Sequence, residues 1–235
     1  MSYKAWNKCL TKTNDKRLIK LGKNTSNAYK QKAIEKALLL GPLTSIEKQI
    51  LYGSILGDGH LRMNKGALHA RYSEGHCAAQ KEYASWKVVN LKRLGFVLRQ
   101  YKQNGGAPIF IRSPSMIQLT ELYNQFYPHG QKRLPKEILH ELTPLALAVW
   151  FMDDGTLHPK GGAYLYVYKL FIDEAEFVKQ LFEEKFNIKC KIYILKSGRM
   201  AGKPEIYFPK EEFEKFKKLI RPHIHPTMLY KLGET

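Results

Sequence analysis

Leu51-Tyr52-Gly53-Ser54-Ile55-Leu56-Gly57-Asp58-Gly59 is an apolar run of helical length closed by an acid and a glycine. The form returns at Leu147-Ala148-Val149-Trp150-Phe151-Met152-Asp153-Asp154-Gly155. Thr44 and Glu47, three apart and just upstream of the first copy, make a capping-box signature. Thr143-Pro144 before the second supplies an N-cap and a proline suited to the first helical position. Gly59 and Gly155 stand where each helix must stop. Gly53 and Gly57, four apart, share one helical face. A glycine inside a helix costs about 1 kcal/mol against alanine, which is tolerable where a second backbone approaches closely. The expectation is two helices packed against each other, with Gly53 and Gly57 at their interface. An acid at a helix C-terminus faces the negative end of the dipole, and two such acids side by side repel. A divalent cation shared by Asp58 and Asp154 removes both penalties.

Both segments resemble the signature of the LAGLIDADG homing endonucleases, in the form that carries two motifs in one chain. The resemblance runs from about residue 44 to the C-terminus, and Asp58 and Asp154 fall on its metal-binding acid. Leu56 stands where the signature has an earlier acid, and Val149 and Asp153 stand where small residues are usual. The resemblance implies an α+β fold of two pseudo-symmetric αββαββα halves. Four-stranded antiparallel sheets would form a DNA-binding saddle, with the motif helices at the interface. It also implies a metal-dependent endodeoxyribonuclease with a long target, short 3′ overhangs and a role in intron mobility. No splicing-block signals flank the domain, so an intron-borne or free-standing gene is expected rather than an intein. RNA-splicing maturases and non-catalytic DNA- or RNA-binding regulators on the same fold are the alternative.

The rest of the chain agrees with a duplication. Asp58 to Pro128 spans 70 residues (128 − 58) and Asp154 to Pro222 spans 68 (222 − 154). Strands are expected at Ala67 to Ser73, Phe96 to Gln103, Ile109 to Ile111, Ala163 to Leu170, Ile188 to Lys196 and Pro204 to Phe208. Helices are expected at Ala78 to Leu94, Pro114 to Tyr127, Asp173 to Lys185 and Lys210 to Ile220. Alternation puts His69, Arg71 and Ser73 on one strand face, with Tyr164, Tyr166 and Tyr168 sharing another. Arg62, His69, Arg71, Arg99 and Gln103 are the first-half candidates for DNA contact, and Tyr164, Tyr166, Lys169, Lys191 and Tyr193 those of the second half. Such faces suit the major groove, where base edges carry a distinct code. Solvent-facing residues of an amphipathic sheet are the plainer reading.

Lys132 and Lys231 lie 74 (132 − 58) and 77 (231 − 154) residues after the two acids. The resemblance puts a lysine of each half near the scissile phosphates, so both join the acids as catalytic candidates, with Arg133 as the fallback. Mg²⁺ is the expected ion, with Mn²⁺ able to substitute, because oxygen ligands suit a hard cation.

Composition bounds the partners. The 235 residues carry 39 Lys+Arg against 21 Asp+Glu, a net charge of +18, which speaks of polyanion binding. Double-stranded DNA is the expected partner, with intron RNA second. A membrane is not expected, because no apolar stretch reaches the roughly 20 residues a span needs. Three scattered cysteines, Cys9, Cys77 and Cys190, fit neither a disulfide framework nor a zinc site. They suggest a reducing compartment, bacterial cytoplasm or organelle matrix, without secretion. A monomer is expected.

Three segments follow: a basic arm, 1–42, and two halves, 43–142 and 143–235. Up to Lys36 the arm has ten basic residues against Asp15 and Glu35, too polar to bury a core of its own. Its stretch Trp6-Asn7-Lys8-Cys9-Leu10-Thr11 resembles a nuclease-associated modular DNA-binding motif, with Cys9 in place of a glycine. That resemblance implies an auxiliary DNA-contacting arm; a solvated basic tail is the other reading.

Overall fold

A computed structural model describes residues 27, 28, 31, 32, 35, 38–101 and 107–234. The arm motif Trp6 to Thr11 and Gln103 lie outside the described residues. Met1–Gly41 and Pro42–Thr235 are separate compact units. The described residues of the first are helical up to Leu40.

Within the second unit α1 (Ser45–Leu56) leads to β1 (His60–Arg62), β2 (Arg71–His76), α2 (Lys81–Asn90), β3 (Val97–Gln100), β4 (Ile109–Arg112), α3 (Ile117–Phe126) and the short α4 (Lys136–Glu141). The order repeats in α5 (Pro144–Asp154), β5 (Gly155–Leu157), β6 (Ala163–Tyr166), α6 (Ile172–Phe186), β7 (Lys191–Ile194), β8 (Pro204–Phe208) and α7 (Lys210–Ile220). The sheets are antiparallel with the same topology, β1-β2-β4-β3 and β5-β6-β8-β7. The chain is thus αββαββα twice over, as expected.

Helices α1 and α5 form the central pair. Ile50 to Leu56 and Ala146 to Met152 are buried on every side, as a helix enclosed by its neighbours requires. Helix α1 begins with the expected capping box: Glu47 N donates to Thr44 Oγ1 (3.2 Å) and Thr44 N to Glu47 Oε2 (2.8 Å). Arg93 binds both oxygens of that carboxylate, Nη2 donating to Oε2 at 2.6 Å and Nε to Oε1 at 3.0 Å. Helix α5 starts differently. Thr143 caps nothing with its own side chain; instead Gln49 of α1 accepts from Thr143 N (2.8 Å) and Oγ1 (3.0 Å) and donates to Glu141 O (2.9 Å).

The glycines fit a complementary seam. A Cβ on Gly53 would meet Val149 Cβ at 2.8 Å, and one on Gly57 would meet Asp153 Cβ at 2.6 Å. Counted from Asp58 and Asp154, Gly53 and Val149 are equivalent positions, as are Gly57 and Asp153. The larger residues of one motif thus enter gaps left by the other. Helix α1 stops earlier than expected, with Gly57 as its C-cap, while α5 ends at Gly155, which has φ −84° and ψ 151° and opens β5 directly; neither Gly59 nor Gly155 is a left-handed cap. They are needed because the chain doubles back on the last helical turn: a Cβ would meet Ser54 O at 2.7 Å or Phe151 O at 2.5 Å.

Several boundaries moved. Strand β2 starts at Arg71, so His69 lies in the preceding bend, its Nδ1 3.4 Å from Thr120 Oγ1 of α3. Strand β6 stops at Tyr166, leaving Tyr168 and Lys169 in a turn. The first-half helix expected over 78–94 is α2 flanked by short 3₁₀ turns at Ala78–Gln80 and Lys92–Leu94. No helix among the described residues is long and apolar enough to cross a membrane.

Candidate active site

Asp58 follows the end of α1 and is exposed; Asp154 is the last residue of α5 and half-buried. Neither helix has a basic residue in its last turn, so its terminal carbonyls lack the cation that usually offsets the dipole. Three lysines from elsewhere supply it. Lys132, beyond the 3₁₀ turn Pro128–Gly130, donates to Ile55 O. Lys231, in the C-terminal 3₁₀ segment Pro226–Leu232, donates to Gly155 O at 2.7 Å, with Asp153 O at 3.4 Å. Lys169 donates to Gly57 O at 2.5 Å. The two lysines singled out by spacing therefore sit on opposite motif helices. Lys169 departs from its expected place on the outer sheet, because β6 ends early and the turn carries it into the centre.

These groups share one field. Burial pushes the Asp154 carboxyl up to about 6, with Asp58 adding repulsion and the three lysines opposing it. Burial and the neighbouring Lys169 bring the Lys132 ammonium down to about 7 against the pull of Asp154 and Asp58. Lys231 is lowered by burial, with Asp153, Asp154 and Asp58 opposing. His60, one residue past Gly59, is lowered by burial and then by Lys132, Arg62 and Lys169; its Nδ1 lies 3.1 Å from Tyr127 Oη. Sequence reading passed over His60, although its place beside the Asp-Gly pair was a usable signal.

Two carboxylates, backbone carbonyls of Gly57 and Gly155 and three ammonium groups thus meet at the helix ends. All the candidate ligand atoms are oxygen, the donor set for a hard divalent cation. The lysine ammoniums on those carbonyls show that the centre accepts positive charge. A second acidic group, Glu74, His76 and Asp153, brings its ligand atoms within 4.8 Å of one another. Its cation is already present: Lys87 Nζ sits 2.5 Å from Glu74 Oε1 and 2.9 Å from both Asp153 oxygens. His76 Nε2 adds a 3.0 Å contact to Glu74. Tyr72 Oη and Tyr83 Oη donate to Glu74 and Asp153 at 2.6 and 2.8 Å. Burial raises Glu74, but Lys87 and His76 outweigh it and hold the group down at about 2. Burial likewise opposes the charge on Lys87, and Asp153 and Glu74 restore it. This cluster is a closed ion network rather than a metal site. Asp153 belongs to it while its neighbour Asp154 faces the centre.

The outer sheet faces carry most of the remaining candidates. Register aligns Arg62 with Arg71, Ser73 with Arg112, and Arg99 with Phe110. In the second half it aligns Thr156, Tyr164, Tyr207 and Lys191 in one row and Tyr166, Glu205 and Tyr193 in the next. Arg112, Tyr207 and Glu205 were missed by sequence reading, although the alternation in Ile109–Arg112 and Pro204–Phe208 would have found them.

The comparisons agree with this architecture. Residues 48–216 match the LAGLIDADG DNA endonuclease family. Cytochrome b mRNA maturase bI2 of Debaryomyces hansenii is 30% identical over 204 residues, 82% of this chain and 75% of that protein. Protein RecA of Mycobacterium shimoidei is 29% identical over 201 residues, 81% of this chain and 47% of that protein. The chain spans about half the length of the RecA proteins of Mycobacterium shimoidei and Mycolicibacterium flavescens. The solved structure of the homing endonuclease I-WcaI bound to its DNA recognition sequence matches with a TM-score of 0.73 and 25% identity, over 84% of this chain and 90% of that one. I-DmoI in complex with DNA and Mn shares the fold, at a TM-score of 0.52 and 14% identity over 75% and 96% of the two chains. With two motif helices, two matched sheets and these relatives, the chain belongs to the LAGLIDADG DNA endonuclease family.

Proposed function

We propose that the protein is a sequence-specific homing endonuclease that makes a metal-dependent double-strand break in a long DNA target and serves intron mobility. The observation that carries this reading is the meeting of Asp58 and Asp154 at two adjacent helix ends, ringed by Lys132, Lys169 and Lys231. One chain supplies both motif helices, which supports action as a monomer. On this reading residues 43–142 and 143–235 are the two halves, and 1–42 is a DNA-contacting arm.

Asp58 and Asp154 would hold Mg²⁺, with Mn²⁺ able to replace it, and the carbonyls of Gly57 and Gly155 stand within the same centre. The bound ion supplies an activated water and charge stabilisation at the phosphate. The protein's own groups do the rest. Lys132, brought down to about 7, is partly unprotonated near neutral pH, so its Nζ can accept a proton or return one. Lys231 and Lys169 offer N–H donors to phosphate oxygens on the two sides of the centre. Positive charge preorganised there favours a transition state more anionic than the ground state. Arg62, Arg71, Arg99, Tyr164, Tyr166, Lys191 and Tyr193 contact the duplex from the sheets, and His69 from the bend before β2. Some contacts position phosphates and others read bases.

The maturase reading rests on a separate observation, the similarity to the bI2 maturase of Debaryomyces hansenii. One experiment separates the readings: incubate a randomised duplex library with the protein in Mg²⁺ and in Ca²⁺, then sequence bound and cut DNA. Discrete double-strand ends in Mg²⁺ with short 3′ overhangs support the endonuclease. Selected binding without cutting in Mg²⁺ or Mn²⁺ overturns it and favours a role with intron RNA or as a regulator.

A further inference from the structure

The two outer sheet faces have different chemistry. Strands β1 to β4 hold four arginines on one face, Arg62, Arg71, Arg99 and Arg112. Strands β5 to β8 hold none; their corresponding face carries Tyr164, Tyr166, Tyr193 and Tyr207, with Lys191 as its one strand cation and the buried Glu205 between Tyr166 and Tyr193.

The arginine face is poorly arranged for the protein alone. Arg62 and Arg71 stand directly opposite each other, a like-charge pair that weakens a sheet. None of the four has a carboxylate partner among the described residues. Arg112 stacks on Phe110, 5.0 Å from the ring centroid, and Tyr101 meets the same ring edge-on at 5.5 Å, which limits the rotamers of that guanidinium. The tyrosine face is held by its own rings: Tyr164 and Tyr193 lie 5.1 and 5.6 Å from Tyr207, and His158 touches both Tyr164 and Tyr207. It presents aromatic edges and hydroxyls.

We propose that the two faces read opposite base compositions: the first half recognises guanines through their N7 and O6 atoms, and the second reads an A·T-rich half-site through contacts of its tyrosine rings with thymine methyl groups. The reason is geometric. A guanidinium fork matches the two acceptors guanine presents in the major groove, whereas an aromatic ring offers no such fork and packs on the methyl unique to thymine. This inference rests on the DNA-binding reading above.

The test begins with duplexes selected by the full-length protein in Ca²⁺. In the selected duplex, 7-deazaguanine replaces guanine, removing N7, or deoxyuridine replaces thymidine, removing the methyl, in one half-site at a time. 7-Deazaguanine is expected to weaken binding on the order of tenfold in one half-site and less than about twofold in the other. Deoxyuridine gives the reverse pattern, about fourfold for each contacted methyl lost. Arg71→Gln with Arg112→Gln removes the 7-deazaguanine penalty, and Tyr207→Ser removes the deoxyuridine penalty. Equal penalties in both half-sites overturn the proposal, as does an arginine double variant that keeps the full penalty. If a variant does not fold, the asymmetry measured on the unaltered protein decides alone. Binding with this asymmetry but no cutting in Mg²⁺ sinks the nuclease reading and leaves this one standing; cutting without the asymmetry does the opposite. Failure to select any duplex overturns both.

Discussion

The two halves share a topology and differ in what they bury. Ser73 pairs with His60, and Tyr164 with Thr156, so Glu74, His76 and Lys87 of the first half correspond to Leu165, Val167 and Val178 of the second (165 − 74 = 167 − 76 = 178 − 87 = 91). All six are buried. One half encloses a carboxylate, an imidazole and an ammonium where the other encloses aliphatic carbon. The seam explains the contrast. Asp153 of α5 enters the gap above Gly57 and must find a cation, which Lys87 supplies. On the other side the equivalent residue is Gly57 itself, which projects nothing, and an apolar core suffices. A duplicated fold has thus become two complementary parts. A single acid at the interface fixes the chemistry of the half it enters, and the same offset sets Lys169 against Ala78, so the candidate active site is itself unsymmetrical.

The largest effect expected from breaking this arrangement is on the buried cluster. Lys87→Met leaves Glu74 and Asp153 without their cation and should cost about 3–5 kcal/mol of unfolding free energy, read from chemical denaturation. A loss below about 1 kcal/mol would mean the pair is not buried as described. Next comes the lysine present on one side only. Lys169→Met should slow cleavage of one strand on the order of a hundredfold, so that nicked DNA accumulates under single-turnover conditions; equal slowing of both strands would contradict an asymmetric role.

A smaller change tests the fit of the motif helices. Gly53→Ala drives a methyl against Val149 and the Ala146 carbonyl and should cost about 1–3 kcal/mol. Adding Val149→Ala should recover only a minor part of it, because the Ala146 carbonyl and the Cβ at position 149 stay in place; full recovery would show that the strain lies in the Val149 methyls alone. The smallest effect is expected from making the halves alike. Glu74→Leu, His76→Val, Lys87→Val and Asp153→Ala, with Tyr72→Phe and Tyr83→Phe to remove the donating hydroxyls, should leave stability within about 1 kcal/mol or raise it. A collapse of folding would show that the ion network specifies the seam.

Sequence disclosed the parts that depend on local pattern. An apolar run closed by Asp-Gly marks a helix end wherever it occurs, so both motif helices and both acids were legible. Strand alternation likewise put Arg71 and Arg99 on polar strand faces of the first half and Tyr164 and Tyr166 together on one face of the second. What it missed depends on direction in space. Lys169 was assigned to a sheet because nothing local marks the end of β6 at Tyr166. Gln49 caps a helix 94 residues away (143 − 49), a contact without any short-range signature. His69 missed its strand because Thr120 holds the preceding bend against α3.

The central claim is that the two motif helices deliver one functional acid each to a single reaction centre. The most direct measurement is single-turnover cleavage of a selected target in Mg²⁺ by the unaltered protein, Asp58→Asn and Asp154→Asn, with duplex affinity measured alongside in Ca²⁺. Both variants should lose double-strand cleavage while binding DNA within a fewfold of the unaltered protein. Cleavage at the unaltered rate by either one would contradict the account.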